Sequence, residues 1–224
     1  MSFNQKNRSF VGDYLNQEFT SLIDKEHIKT IVEVGSRDCL DAINLADYYE
    51  DSSVFCFECN PETINQCFIN LQMAPFQIRS RINFFPFAVG SKEETRFFYK
   101  WKDKRNPGAS SFLSRKRDAH NQEQTVEKIQ IKRLDDVLSG HGVKKIDLLC
   151  LDIQGFELEA LRGLGNLLQE VRYIITEIPK GESLYEAPNE KETMLFFHQN
   201  NFKVLKTTRE NLYEDNILLA RINT

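Results

Sequence analysis

Short apolar runs alternate with segments of helical spacing along most of the chain, and several of the runs end on a carboxylate. Ile146, Leu148, Leu149 and Leu151 read as a strand buried on both faces of a parallel sheet, which puts Asp152 at its carboxyl end. Gly155 permits a turn, and Phe156, Leu158, Ala160 and Leu161 give the next helix an apolar side, with Glu157 and Glu159 in its first turn. Asp152 serves equally well in this pattern as the cap of that helix. Upstream, a helix is expected from Tyr14 to Asp24, a strand from Thr30 to Val34, a helix from Asp41 to Tyr49, and a strand from Val54 to Phe57 ending at Glu58. Pro61 to Leu71 reads as a helix with proline at its start, where a missing N–H costs little, and Ile82 to Val89 as a strand ending at Gly90. Ile129 to Ile131, a short helix from Leu134 to Leu138, a β-branched run from Val171 to Thr176 reaching Glu177, and a helix from Thr193 to Gln199 follow. Phe202 to Leu205 and Asn216 to Arg221 form a closing strand pair. Strands alternating with helices predict an α/β fold with a doubly wound, mostly parallel sheet.

Composition narrows the class. The 224 residues are 41% hydrophobic and 28% charged, ordinary for one globular domain with a sizeable core. No apolar run approaches the roughly 20 residues that span a bilayer, and Met1 to Arg8 is too polar for a secretory signal, so a cytoplasmic location is expected. The five cysteines include Cys56 and Cys59 in C-F-E-C, but that pair sits in a strand pattern with no second pair at zinc spacing, so free thiols are expected. A net charge of −4 gives no overall attraction to nucleic acid. Between Arg96 and Arg117, however, eight basic residues stand against Asp103 alone, interleaved with Phe97, Phe98, Tyr99 and Trp101. Such a segment can grip a phosphate-bearing or glycan substrate by charge and stacking, or form a solvated hairpin whose alternate aromatics pack inward.

Taken together, the strand ends describe a ligand. Gly35 lets the backbone turn tightly, Glu33 and Asp38 can accept from an ammonium group, and Glu58 can take both hydroxyls of a ribose. Phe87, Ala88 and Val89 offer an apolar shelf for a flat base, and Asp152 closes the set. A nicotinamide dinucleotide would also explain Glu58, but the first turn, Gly35-Ser36-Arg37-Asp38-Cys39-Leu40, has one glycine where G-x-G-x-x-G has three and a carboxylate that would repel phosphate. S-adenosylmethionine, which has no phosphate, is compatible. Walker, G-x-S-x-G and H-E-x-x-H motifs are absent.

These residues resemble the FkbM-type S-adenosylmethionine-dependent methyltransferases of the class I fold. The resemblance rests on EVGSRDC at Glu33 to Cys39, FECNPE at Phe57 to Glu62, AVGS at Ala88 to Ser91, SSF at Ser110 to Phe112, RLDDVL at Arg133 to Leu138 and LDIQGFELEALRG at Leu151 to Gly163. TEI at Thr176 to Ile178, Asn201-Phe202 and NILLAR at Asn216 to Arg221 complete it. It implies a Rossmann-like, seven-stranded sheet with one antiparallel strand and methyl transfer to oxygen on a sugar or small molecule. It further implies a cofactor site of Glu33, Gly35, Ser36, Arg37, Asp38, Glu58, Cys59, Asn60, Phe87, Ala88, Asp152 and Ile153. Three departures are local: cysteine stands at 39 where the family often has glycine, Cys150 and Leu151 fill the strand end where lysine is frequent before the I-D-V-Q-G motif, so no base is assigned there, and Asn201 stands before Phe202 where a Gly-Phe is usual, a position that asks for tolerance of positive φ.

Methyl transfer from a sulfonium is an in-line displacement, so the protein aligns a hydroxyl and removes its proton. Asp152 and Glu177, ending neighbouring strands, are the catalytic candidates, as base and orienter or as joint holders of a divalent cation (Mg or Mn). His27, His120, His141 and His198 form no constellation. The expected enzyme is a single domain over 1–224, with a helical lead at 1–29 and a variable acceptor-binding segment at 91–128. Its expected acceptor is a sugar hydroxyl of a glycan or sugar conjugate. An antibiotic-like small molecule is the alternative acceptor, and a noncatalytic glycan- or nucleotide-binding module of the same fold the alternative class.

Overall fold

The computed structural model describes residues 13–101, 107–114, 124–181 and 186–222. Five strands are parallel: β1 (Thr30–Val34), β2 (Ser53–Phe57), β3 (Ile82–Phe85), and, after a second small sheet, β7 (Ile146–Leu151) and β8 (Val171–Pro179). The closing strands β9 (Phe202–Arg209) and β10 (Glu214–Arg221) complete a seven-stranded sheet in the order β3-β2-β1-β7-β8-β10-β9, with β10 antiparallel to both neighbours. The order reverses between β1 and β7, and in such sheets ligands bind beyond the carboxyl ends at that switch point.

Alternation along β1 shows why both faces are covered. Ile31 packs into a core with Phe19 of α1 (Gln17–Thr20), Ala42, Ile43, Leu45 and Ala46 of α2 (Leu40–Tyr48) and Cys67 of α3 (Ile64–Met73). Val32 and Val34 face the opposite core, with Leu134 and Leu138 of α5 (Leu134–Gly140), Leu158 and Leu161 of α6 (Glu157–Arg162) and Phe197 of α7 (Glu190–Gln199). The short α4 (Phe76–Arg79) leads into β3. Among the described residues, no helix is long and apolar enough to cross a membrane.

Several boundaries differ from the sequence reading, each for a local reason. The stretch Tyr14 to Asp24 is a 3-10 turn, Asp13–Leu15, and then α1, because Asn16 caps α1 by accepting from the Glu18 N–H at 2.9 Å. The helix expected from Pro61 starts at Ile64: the Asn60 side chain accepts from the Glu62 N–H and holds the first residues in a turn. The helix α7 begins three residues before Thr193, at a capping box between Asn189 and Glu192. Pro86, which has no N–H to give a ladder, breaks the run Ile82 to Val89, so β4 (Ala88–Gly90) leaves the main sheet.

That departure builds a second sheet the sequence reading did not foresee, in the order β4-β6-β5, from β4, β5 (Glu94–Trp101) and β6 (Gln124–Arg133). In the basic segment, Phe98 turns inward and Phe97 outward, the inward-packing alternative for this strand. Helix α6 is pressed against β4 where two glycines meet, and a Cβ on Gly163 would stand 2.0 Å from the Gly90 carbonyl oxygen. Gly163→Ala should therefore cost about 1–3 kcal/mol by overpacking. Urea unfolding reads it, and an unchanged midpoint would mean that the two sheets are not locked there.

Candidate functional site

The carboxyl ends of β1, β2 and β7 are tied together before any ligand is considered. The N–H groups of Gly35 and Ser36 donate to the Phe57 carbonyl at 3.0 and 2.9 Å, and the Asp152 N–H donates to the Val34 carbonyl at 3.1 Å. Gly35 has φ 93, and a Cβ there would fall 1.9 Å from the Asp152 carbonyl oxygen, so only glycine fits. Arg37 (φ 53) and Cys39 (φ 61) continue the turn in the left-handed region. Asn201 (φ 59) does take the positive φ that a glycine would otherwise fill.

Glu58 is fixed by the backbone around it, one oxygen accepting from the Arg37 N–H and the other from the Asn60 N–H, each at 2.6 Å. Burial pushes its carboxyl up from the ordinary range, and these N–H groups pull it back. Each oxygen keeps a further lone pair for a ligand donor.

A cavity of about 520 Å³ lies over these ends, inside the range usual for small-molecule sites. Of the residues expected at the cofactor, Gly35, Arg37, Glu58, Cys59, Asn60, Phe87, Ala88, Asp152 and Ile153 line it, as does Glu177. Glu33, Ser36 and Asp38 do not. Glu33 is buried behind the turn, where it accepts from the Ser36 hydroxyl at 2.6 Å and its other oxygen has no partner. Asp38 instead accepts from the Leu40 N–H at 3.1 Å, at the start of α2. Burial holds the Glu33 carboxyl well above its ordinary range, so it is a poor counter-charge for an ammonium group.

The helix-cap reading of Asp152 is corrected here. Phe156 occupies the cap position of α6, and the Glu157 carboxylate fastens the preceding turn by accepting from the Ile153 and Gly155 N–H groups, both at 3.1 Å. Asp152 is left facing the cavity, its Oδ1 accepting from the Gln154 amide at 2.8 Å, and the same amide reaches Glu177 at 3.3 Å. Burial, helped by neighbouring Glu214, pushes the Asp152 carboxyl up to about 6, against the Gln154 hydrogen bond, which lowers it. Burial and the negative charge of Asp152 raise Glu177 well above its ordinary value. Among the described residues, no group of three or more His, Cys, Asp or Glu side chains could hold a metal ion, so the Asp152–Glu177 pair gains no third ligand.

Sequence reasoning missed two walls. Phe98, Phe112 and Phe156 form a roof, with ring centroids 4.9 and 5.1 Å apart, and the Ser111 hydroxyl clamps it to the Gln154 carbonyl at 2.8 Å. The SSF motif was the available signal. Tyr14, Glu210, Tyr213 and Glu214 close the end beyond β8, and no local pattern marks them. Within the basic segment, Lys100 is taken by Glu127 and Glu62, and Arg96 lies 5.1 Å over the Phe156 ring. Arg115, Lys116, Arg117 and His120 lie outside the described residues. All five cysteines are free, and Cys39 and Cys56 lie 3.9 Å apart beneath the first turn.

Strand order, switch-point cavity and glycine turn define the class I methyltransferase fold. Residues 33–204 match the methyltransferase FkbM domain, and the chain belongs to that family. It is 27% identical over 181 residues, 77% of its length and 72% of the relative's, to the 2-O-methyltransferase NoeI of Sinorhizobium fredii. Among solved structures it is similar to a putative O-methyltransferase from Klebsiella pneumoniae (14% identity, 96% and 83% of the two chains, TM-score 0.55). It is also similar to M. capricolum TrmK bound to S-adenosyl-homocysteine (14% identity, 94% and 69%, TM-score 0.52). The protein is a methyltransferase.

Proposed function

We propose that this methyltransferase uses S-adenosylmethionine to methylate a hydroxyl of a sugar or sugar conjugate. The observation that carries the reading is the Glu58 carboxylate, held by two backbone N–H groups at the end of β2 on the wall that also contains Gly35 and Asp152. The site fits this donor: Glu58 has lone pairs for both ribose hydroxyls, Phe87 and Ala88 offer the base an apolar face, and a single glycine turn provides no phosphate cradle. When bound, the donor supplies a methyl group on a sulfonium.

The chain's own residues supply alignment and proton removal. Asp152, titrating near 6, is ionised at neutral pH and can accept the proton of an acceptor hydroxyl. The Gln154 amide, donating to Asp152 and Glu177 together, holds the two carboxyls in register. The aromatic roof excludes water from the reacting atoms. A sugar is favoured over nucleic acid because the net charge is −4 and Arg37 is the sole basic residue on the described wall.

Glu58→Ala tests the donor site. Losing hydrogen bonds to a charged group should weaken S-adenosylhomocysteine binding by about 1.5–3 kcal/mol, roughly 10- to 150-fold, in calorimetric titration. Equal affinity in both proteins would remove the donor from this wall. Donor binding with no methyl transfer to any hydroxyl compound would favour a noncatalytic module, and transfer to aglycone hydroxyls alone would favour an antibiotic-like acceptor.

A further inference from the structure

The turn between β7 and α6 is held in a conformation that its sequence resists. Gln154 has φ 54 and Gly155 has φ 94, two successive residues in the left-handed region, which a glutamine enters only at a cost. Such strain persists where the surroundings over-determine it, and here they act from two sides. From α6, the Oε1 atom of Glu157 accepts from both the Ile153 and the Gly155 N–H groups at 3.1 Å, so that one oxygen spans the residue between them. From the other side, the Ser111 hydroxyl donates to the Gln154 carbonyl at 2.8 Å while accepting from the Leu113 N–H at 3.0 Å. Ser111 is itself bridged to Tyr99 of β5 by paired backbone hydrogen bonds of 2.8 and 3.1 Å.

Glu157 is buried and does not line the cavity, so it meets neither donor nor acceptor. Burying a carboxyl costs free energy unless its oxygens find donors, and the donors that Glu157 finds are those of the turn. What the turn presents to the cavity is the Gln154 amide, which reaches Asp152 at 2.8 Å and Glu177 at 3.3 Å. At Asp152 that hydrogen bond favours the ionised carboxylate, in opposition to burial.

Resting on the methyltransferase reading above, we propose that Glu157 is a positioning residue for the transfer step: with Ser111 opposite, it locks Gln154 in the left-handed turn so that the amide stays on Asp152 and keeps that base oriented toward the acceptor hydroxyl. The base is thereby set by a side chain that touches no substrate. A neutral oxygen suffices for this hold, because both N–H groups go to the same atom.

The ionisation of Asp152 tests the proposal without an acceptor. Protein carrying a carbon-13 label at the aspartate carboxyls is titrated by NMR, free and saturated with S-adenosylhomocysteine, and the Asp152 signal is identified by its loss in Asp152→Asn. The titratable and charged groups facing Asp152 are Tyr14, Arg37, Asp41, Glu157, Glu177 and Glu214, and only Glu157 is altered. Burial pushes the Glu157 carboxyl up to about 7, so where Asp152 titrates, near 6, its removal takes away little charge. In Gln154→Ala, Asp152 should titrate about one pH unit higher than in wild type, the worth of one hydrogen bond to a charged group. Glu157→Ala should raise it by at least about half a pH unit, and Glu157→Gln, which keeps an oxygen for both N–H groups, should restore it to within about 0.3. Adding Glu157→Ala to Gln154→Ala should change nothing more, since no amide is left to aim. Ser111→Ala frees Gln154 from the other side and should give the same rise, which decides the matter should Glu157→Ala not fold. Wild-type titration in Glu157→Ala or Gln154→Ala, with or without a lower melting temperature, overturns the proposal. A glutamine variant that restores nothing, or rises that add in the double variant, overturns it equally. Failure to bind S-adenosylhomocysteine is a separate outcome that overturns the donor reading, while the titration of free protein still decides the role of Glu157.

Discussion

Replacing Gly35 with alanine is expected to abolish methyl-donor binding and to lower stability by about 2–6 kcal/mol, since left-handed strain and overpacking each cost about 1–3 kcal/mol. The added carbon would stand 1.9 Å from the Asp152 carbonyl oxygen and 2.8 Å from Ile153 Cγ2, at a φ of 93 that alanine resists. Neither neighbour can retreat freely. The Asp152 backbone is held by its own hydrogen bond to Val34, so relief must come from pushing β1 and β7 apart at the cavity floor. Calorimetric titration with S-adenosylhomocysteine and urea unfolding together read the result. A Gly35→Ala protein that binds within about twofold of wild type would show that the donor does not rest on this turn.

The Asp152→Asn variant should turn over about 10²- to 10⁴-fold more slowly, the range typical for loss of a general base, while melting no lower than the parent protein. Asparagine keeps the oxygen that accepts from Gln154 and removes only the charge. In wild type, kcat should climb as pH rises through about 6, where Asp152 ionises, and then level off. Stability runs the other way. Because the folded-state carboxyl titrates above its ordinary value of 3.8, the native protein binds the proton more tightly than the unfolded chain, and stability falls as pH rises from about that value towards 6. The asparagine variant should lose both trends together. Normal turnover in it, or a rate with no limb near 6, would return the base to another group. Glu177→Gln should slow turnover similarly if the Gln154 bridge makes the two carboxyls one unit.

The sheet was legible because both its faces are covered, so its strands read as nearly unbroken apolar runs, and Glu58, Asp152 and Glu177 stood out as the carboxylates that end them. Asn201 was legible too, since its place before Phe202 called for a positive φ. Other features depended on competition that spacing does not reveal. Pro86 lies inside an apolar run and could have warned that β3 stops there, but that the chain then starts another sheet is a tertiary fact. Asp152 and Glu157 both suit a helix start, and only in the folded chain is it settled that Glu157 takes the turn's N–H groups. Tyr14 and Glu214 are 200 residues apart in sequence, and nothing local to either announces that they share a cavity.

The position of β1 also bears on how the protein is made. On one side β1 pairs with β2, soon after it in the chain, but on the other Ile31 meets Leu148, and the Asp147 side chain accepts from the Lys29 and Thr30 N–H groups, both at 2.9 Å. Closing so long a loop around a parallel pair is slow, because its entropy is lost before the contacts are gained. At about 5–20 residues per second, a ribosome needs on the order of ten seconds to travel from the first of these strands to the second. For that interval the nascent chain presents an apolar strand with one unpaired edge, the kind of surface that recruits other chains. Recombinant yield should therefore depend on chaperone supply and growth temperature more than on the stability of the finished fold, and no fragment that stops short of β7 can contain the floor of the site.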